Sequence, residues 1–357
     1  MVEVKTQIIP EIKDIEVKEL PLRLSDFYIS DAVFKLFPRA AEIFEPNTLG
    51  ERYPIDYFFA PLEEEEYRII ARTDRIEIAA AGAKGLEYGL FTLSELDVVN
   101  DGDLCEFNAF DKPSLPLRAL SDDISRGQIS TLENFFTIIR RLARYKYNTY
   151  MPYMEDVFRF RSLPDWGKFS GGMDAEEWKV IIRYAAEWNI SIRPIVNLLG
   201  HFDKSAYVEG TQPLALRYPD GRVSHVMDPR KPEVKEAIRS MLEEIVDCFG
   251  PGLIHGGGDE PLALTEVCGK KEGGKLFIDH YTFVAGELQK RNCTLMMYAD
   301  FFAPPWGDYS VPVQRVKELP EGIQFVFWDY AVRDAYPFVD ALHRQGLDLY
   351  LSPGTWT

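Results

Sequence analysis

From residue 117 onward the chain alternates short apolar runs with amphipathic stretches, and this alternation restricts its fold more than any other feature. The runs 117–121, 147–154, 190–198, 253–255, 294–298, 323–328 and 347–351 read as seven strands. Between them, 131–145, 174–188, 232–247, 275–291 and 334–345 carry apolar residues at helical spacing. In the first of these helices Leu132, Phe135, Ile138, Ile139 and Leu142 share one side. Strands that alternate with helices of this length build a parallel sheet covered by helices. Two closures compete, a doubly wound sheet and a (β/α)8 barrel. No G-x-G-x-x-G follows the first strand, which weakens the dinucleotide-binding version. Polar residues cluster just after the strand ends: Asp122, Asp123, Glu155, Asp156, His201, Asp259, Glu260, Asp300 and Asp329. In a barrel those ends share one face, where catalytic groups gather.

The expected fold is therefore an α/β chain with a TIM (β/α)8-type barrel preceded by a small α+β domain. Seven strands are counted before Thr357, so the C-terminal strand is expected to be missing. An open barrel exposes strand edges. Low stability, or a homo-oligomer covering the open edge, is expected for such a chain. In the N-terminal part, 67–71 and 75–79 are strand-like runs joined at Thr73-Asp74. Leu86, Leu90, Leu93 and Leu96 then follow at helical spacing, and Asp111-Lys112-Pro113-Ser114-Leu115-Pro116 reads as a linker. The expected domains are 1–112 and 113–357.

Composition narrows the partners. The 40 Lys+Arg stand against 57 Asp+Glu, a formal charge of -17. Such a surface repels a phosphate backbone or an anionic membrane, so neither nucleic acid nor membrane is expected as a partner. Aromatic residues make up 13% and suit flat, partly apolar ligands such as sugars. Cys105, Cys248, Cys268 and Cys293 form no C-x-x-C pair, so free thiols are expected. The N-terminus lacks an apolar leader and no apolar run approaches a membrane span. A cytoplasmic chain is the expectation, a removed signal peptide aside.

The sharpest chemical feature is His255-Gly256-Gly257-Gly258-Asp259-Glu260 at the end of the fourth strand. Three glycines let a ligand or a neighbouring backbone come close. Two adjacent carboxylates that share a pocket repel, which suits one as a general acid and the other as a charged acceptor. The bland alternative is a glycine turn carrying two solvated acids.

This run resembles the H-x-G-G-D-E signature of the glycoside hydrolase family 20 β-N-acetylhexosaminidases. Other pieces are similar in order. Arg118 with Asp123-Ile124-Ser125-Arg126 resembles the family's first strand, and Lys146-Tyr147-Asn148 its Y-K-x-N. The stretch 194–201, ending in Gly200-His201, resembles P-E-x-D-x-P-G-H. Tyr298-Ala299-Asp300 stands where the family has W-x-D, and Trp328 where it has a tryptophan on the sixth strand. The likeness covers about residues 60 to 356. Departures are visible too. Residues 151–156 read M-P-Y-M-E-D where the family often has H-W-H-L-T-D-D, and Asn197 and Leu199 replace the acid and the proline before Gly-His.

The resemblance implies a retaining exo-hydrolase of terminal GlcNAc or GalNAc whose nucleophile is the substrate's own 2-acetamido oxygen. Glu260 is then the acid and base, and Asp259 holds the acetamido group. Arg118, His201, Tyr298, Asp300 and Trp328 are the implied substrate-binding residues, and no metal or organic cofactor is implied. The implied partner is a glycan or glycoconjugate containing N-acetylhexosamine. A non-catalytic carbohydrate-binding relative is the alternative. A metal-dependent barrel hydrolase has ligand types in Asp123, His201, His255, Asp259 and Asp300, but no H-x-H or H-E-x-x-H spacing appears.

Overall fold

A computed structural model of the chain describes residues 4–303 and 311–354. Its contacts divide it into two compact units. The first comprises 1–120, 133–150 and 183–191, and the second 121–132, 151–182 and 192–357.

The first unit is built on a six-stranded sheet. Its strands are β1 (Asp14–Leu22), β2 (Phe27–Ile29), β3 (Tyr53–Phe59), β4 (Tyr67–Arg72), β5 (Arg75–Ala80) and β6 (Leu104–Asp111), in the order β1-β6-β4-β5-β3-β2. The β4–β5 pair is the antiparallel hairpin that the alternation and the Thr73-Asp74 turn predict. Ile69, Ala71, Ile76, Ile78 and Ala80 are buried because every second residue of a strand faces the same side. Helix α1 (Asp31–Leu36) is short, and α2 (Ala83–Val99) packs on the buried face of β4 and β5. Gly89 permits that packing, since a Cβ there would lie 2.7 Å from Ile78 Cγ2.

Helix α2 also buries a carboxyl group. Glu87 is fully buried, its Oε2 accepts a 2.7 Å hydrogen bond from Asn189 Nδ2, and its Oε1 has no partner. Burial pushes the Glu87 pKa up to about 8. The folded state therefore keeps a proton that the unfolded chain releases near pH 4, and stability falls as pH rises from there towards 8. Glu87→Gln stays neutral throughout. Its melting temperature is expected to exceed that of the unchanged chain at pH 8 but not at pH 4, as calorimetry at the two pH values would show. Equal differences at both would contradict the assignment.

The remaining strands are β7 (Ala119–Asp123), β8 (Thr149–Tyr153), β9 (Ser191–Ile192), β10 (Ala215–Arg217), β11 (Val223–Met227), β12 (Leu253–His255), β13 (Thr294–Tyr298), β14 (Gln324–Asp329) and β15 (Leu349–Pro353). The helices are α3 (Leu132–Arg144), α4 (Ala175–Ala186), α5 (Pro232–Phe249), α6 (Ala263–Gln289) and α7 (Pro337–His343). β10 and β11 form a small antiparallel ribbon. The others form two sheets, β7-β8-β9 and β12-β13-β14-β15. Ile195 joins them by parallel bridges to Tyr153 on one side and His255 on the other. Among the described residues seven strands thus follow one another in sequence order with no reversal. A doubly wound sheet reverses its order at a switch point, so the order is that of a (β/α) barrel.

Three elements differ from the sequence reading for local reasons. The strand expected over 190–198 is regular only at Ser191–Ile192, because Pro194 has no N–H to give a ladder. The helix expected over 275–291 starts earlier, within α6, and is interrupted at Gly269, whose φ is 79°. The last helix begins at Pro337 rather than 334, proline being favoured in a first helical turn and unfavourable to helix before it. The packing boundary also departs from the 112/113 change in pattern. Lys146 pairs with Asp111 and Arg144 with Glu95, which ties the end of α3 to the first unit. All four cysteines are free thiols. Among the described residues no helix is long and apolar enough to cross a membrane.

Candidate active site

The second unit gathers its chemistry where the parallel strands end. β8 ends at Tyr153 with Glu155 two residues on, and Asn197 and His201 follow the Ile195 bridges. Asp259 and Glu260 follow β12, Asp300 follows β13, and Trp328 lies at the end of β14. The Gly-rich turn after β12 is needed for this approach. Gly257 and Gly258 have φ of 69° and 104°, which side chains rarely adopt. A Cβ on Gly200 would sit 2.6 Å from the Asp259 carbonyl oxygen.

The two carboxylates have different surroundings. The Asp259 side chain is 9% exposed, whereas that of Glu260 is 40% exposed. Asp259 Oδ2 accepts a 2.7 Å hydrogen bond from Tyr153 Oη, and Oδ1 accepts one of 3.2 Å from Asn197 Nδ2. His201 joins the pair. Its Nε2 is 3.2 Å from Asp259 Oδ2 and 3.4 Å from Glu260 Oε2, and its Nδ1 is 3.3 Å from Glu155 Oε1. Arg126 in turn reaches Glu155 Oε1 at 3.1 Å and Asp123 at 2.8 Å.

These contacts set the charges. Burial works against a charged His201 ring, but Asp259, Glu155 and Glu260 together push its pKa up to about 12. It is therefore an imidazolium at neutral pH. Burial equally opposes ionisation of Asp259, yet the charge and hydrogen bond of His201 and the Tyr153 hydroxyl hold its carboxyl below the usual range. Asp300 goes the other way: burial, then the nearby Asp259 charge, push it up to about 7. Its Oδ2 accepts the Glu260 backbone N–H at 3.0 Å and its Oδ1 the Trp328 Nε1–H at 3.3 Å. His255 stays neutral because burial pulls its pKa down to about 3, and its Nδ1 accepts the Gly257 N–H at 3.1 Å. Its ring packs against Tyr298 at 4.3 Å between centroids.

Glu155, His201 and Glu260 all have left-handed backbones, with φ of 41°, 53° and 49°. Such conformations cost about 1–3 kcal/mol each and gather where side chains must be aimed at a function.

The structure brings together Asp259, Glu260, His201, Asp300 and Trp328, with Tyr298 behind His255. Arg118 is different. It lies in the first unit, where Nε donates to Lys146 O, Nη1 to Glu65 Oε2 and Leu115 O, and Nη2 to Glu65 Oε1 and Tyr88 Oη. All five guanidinium N–H groups are spent, leaving none for a sugar hydroxyl. Arg118 is here half of a partly buried ion pair with Glu65, a role that the strand position alone does not distinguish from sugar binding. Tyr153, Asn197, Glu155 and Arg126 join the site without having been singled out as its members. Arg126 closes the D-I-S-R motif and Glu155 is a strand-end acid, so both had a sequence signal; Tyr153 and Asn197 had none beyond their departure from a pattern. Among the described residues no three His, Cys, Asp or Glu side chains are arranged to hold a metal ion.

Comparison with known proteins meets this geometry. Residues 154–272, which carry Glu155, Asn197, His201, Asp259 and Glu260, match the family model described as glycosyl hydrolase family 20, catalytic domain. Over that segment the chain resembles glycoside hydrolase family 20. A β-hexosaminidase of Akkermansia muciniphila is 29% identical over 238 residues, covering 58% of this chain and 48% of that protein. A β-N-acetylhexosaminidase of Cellulomonas fimi is 23% identical over 325 residues, covering 83% and 59%. The chain spans about half the length of the curated relatives it matches. Among solved structures, the β-N-acetylhexosaminidase of Bacteroides fragilis superposes with a TM-score of 0.77 at 19% identity, covering 99% of this chain and 76% of that one. The family 20 fold is thus shared even where few residues are.

Proposed function

We propose that the chain is an exo-acting, retaining β-N-acetylhexosaminidase that removes terminal GlcNAc or GalNAc through the substrate's own 2-acetamido group. The observation that carries the reading is the contrast between a buried, ionised Asp259 and its neighbour Glu260, which reaches solvent, with one charged His201 touching both. The names of the family 20 relatives support the same substrate class.

In the first step the acetamido carbonyl oxygen attacks C1 and the C1–O bond to the leaving group breaks. Glu260 gives its proton to the departing oxygen. The resulting oxazolinium ion carries positive charge on the former acetamido group. Asp259 accepts its N–H and opposes that charge, from a position fixed before the reaction begins. Holding the internal nucleophile over C1 supplies the proximity contribution. In the second step water adds to C1, Glu260 takes its proton, and the ring opens to the free sugar with retained configuration. Two successive displacements at C1 give retention. Asp300 holds the Glu260 backbone, and hence the acid, in register with this path.

Release of an aryl group from a β-N-acetylglucosaminide and from a β-glucoside, measured side by side, tests the reading. Turnover of the N-acetyl substrate alone is expected. Equal turnover of both would remove the acetamido nucleophile from the mechanism, and turnover of neither would reject the activity.

A further inference from the structure

We infer that Tyr153, backed by Asn197, is the positioning residue that fixes the Asp259 carboxylate for catalysis; the catalytic part of this role rests on the hexosaminidase reading above. The three side chains form a closed triangle. Tyr153 Oη donates to Asp259 Oδ2 at 2.7 Å and accepts from Asn197 Nδ2 at 2.9 Å, while the same Nδ2 reaches Asp259 Oδ1 at 3.2 Å. Tyr153 and Asn197 are both buried, which shields these bonds from solvent.

The tyrosine ring is held from two directions. The His201 ring meets it edge to face, with centroids 5.9 Å apart and planes at 84°, and the Arg126 guanidinium lies 5.9 Å from its centroid. As the last residue of β8, Tyr153 also has its backbone in a parallel bridge to Ile195. Its hydroxyl is therefore a fixed point.

Asp259 needs such a point. It follows three glycines, two of them at positive φ, and glycines supply no side-chain packing to hold the next residue. His201 secures only Oδ2 and also serves Glu260 and Glu155. The triangle adds a hold on Oδ1, and two held oxygens fix the plane of a carboxylate. Oδ2 then has the Tyr153 and His201 donors, whereas Oδ1 has one side-chain donor, Asn197 Nδ2. Oδ1 is the oxygen left to receive a substrate N–H.

Tyr153→Phe tests this by deleting one oxygen from an otherwise retained ring. On an aryl β-N-acetylglucosaminide, kcat is expected to fall about 10–100-fold with KM changed by less than about threefold, the pattern of a lost transition-state contact. Losing a donor lets the Asp259 pKa rise, so the acid limb of kcat/KM moves to higher pH. In an Asp259→Asn background the same substitution is expected to change kcat less than about twofold, because Tyr153 acts through Asp259. An equal loss in both backgrounds assigns Tyr153 a merely structural role and overturns the proposal, as does undiminished kcat in the single variant. If the unchanged chain turns over no N-acetyl substrate, the hexosaminidase reading fails. The clamp is then decided by carbon-13 NMR of the Asp259 carboxyl. A titration midpoint that rises in Tyr153→Phe supports the hold on Asp259, and an unmoved midpoint rejects it.

Discussion

Glu260→Gln is expected to lower kcat/KM for an aryl β-N-acetylglucosaminide by about 10²–10⁴-fold, the range that a positioned proton donor contributes. Glutamine has the size of glutamate but no acidic proton to give and no carboxylate to take one from water. Glu260 is the more exposed of the two acids, and Asp300 holds it through its backbone N–H, a bond that the substitution leaves in place. The unfolding midpoint is therefore expected to stay put. The loss should depend on the leaving group. A dinitrophenyl substrate departs without protonation, so its first step is expected to escape most of the penalty while slow water activation lets the intermediate accumulate. Steady-state rates on substrates of graded leaving-group acidity, with a pre-steady-state burst for the most acidic, would show this. A variant that kept its full rate on poor leaving groups would take the acid role away from Glu260.

Lys146→Met is expected to be the most destabilising single change at a position remote from the chemistry. Lys146 Nζ lies 2.8 Å from Asp111 Oδ2 and 2.8 Å from Tyr67 Oη, and all three residues are buried. Burial lowers the Lys146 pKa, while the charge and hydrogen bond of Asp111 work against that. Removing one member of a buried pair strands the other charge, at a cost of about 3–5 kcal/mol. Urea unfolding followed by circular dichroism should show the midpoint falling accordingly. Lys146→Met combined with Asp111→Leu is expected to recover most of that loss, because no unpaired charge then remains. A double variant as unstable as the single one would mean that packing, not charge, dominates the position.

Lys146 also shows how far a motif can be read. In sequence it is part of a family-like Lys146-Tyr147-Asn148, and in the folded chain it is part of a core ion pair in the first unit. Arg118 behaves alike: its place at the head of a strand fits either a sugar or a partly buried carboxylate, and the choice is made by Glu65, which lies 53 residues earlier. A one-dimensional pattern does not contain that distance.

What could be read without coordinates was what depends on neighbours in sequence. Side-chain alternation marked the hairpin of β4 and β5, helical spacing marked α2 through α5, and the strand–helix rhythm led to the barrel order. The Asp259–Glu260 pair was legible for the same reason, since the glycines that free its backbone adjoin it. What only the tertiary structure decided was which distant groups meet those carboxylates. Tyr153 is 106 residues from Asp259 and Asn197 is 62. Hydrogen bonds at such separations depend on how strand ends converge, and a buried tyrosine or asparagine looks in sequence like any other core residue. The ionised state of Asp259, the charge on His201 and the raised pKa of Asp300 follow from the same convergence. Ionisation responds to burial and to charges a few ångströms away in space, and neither quantity is local in the chain.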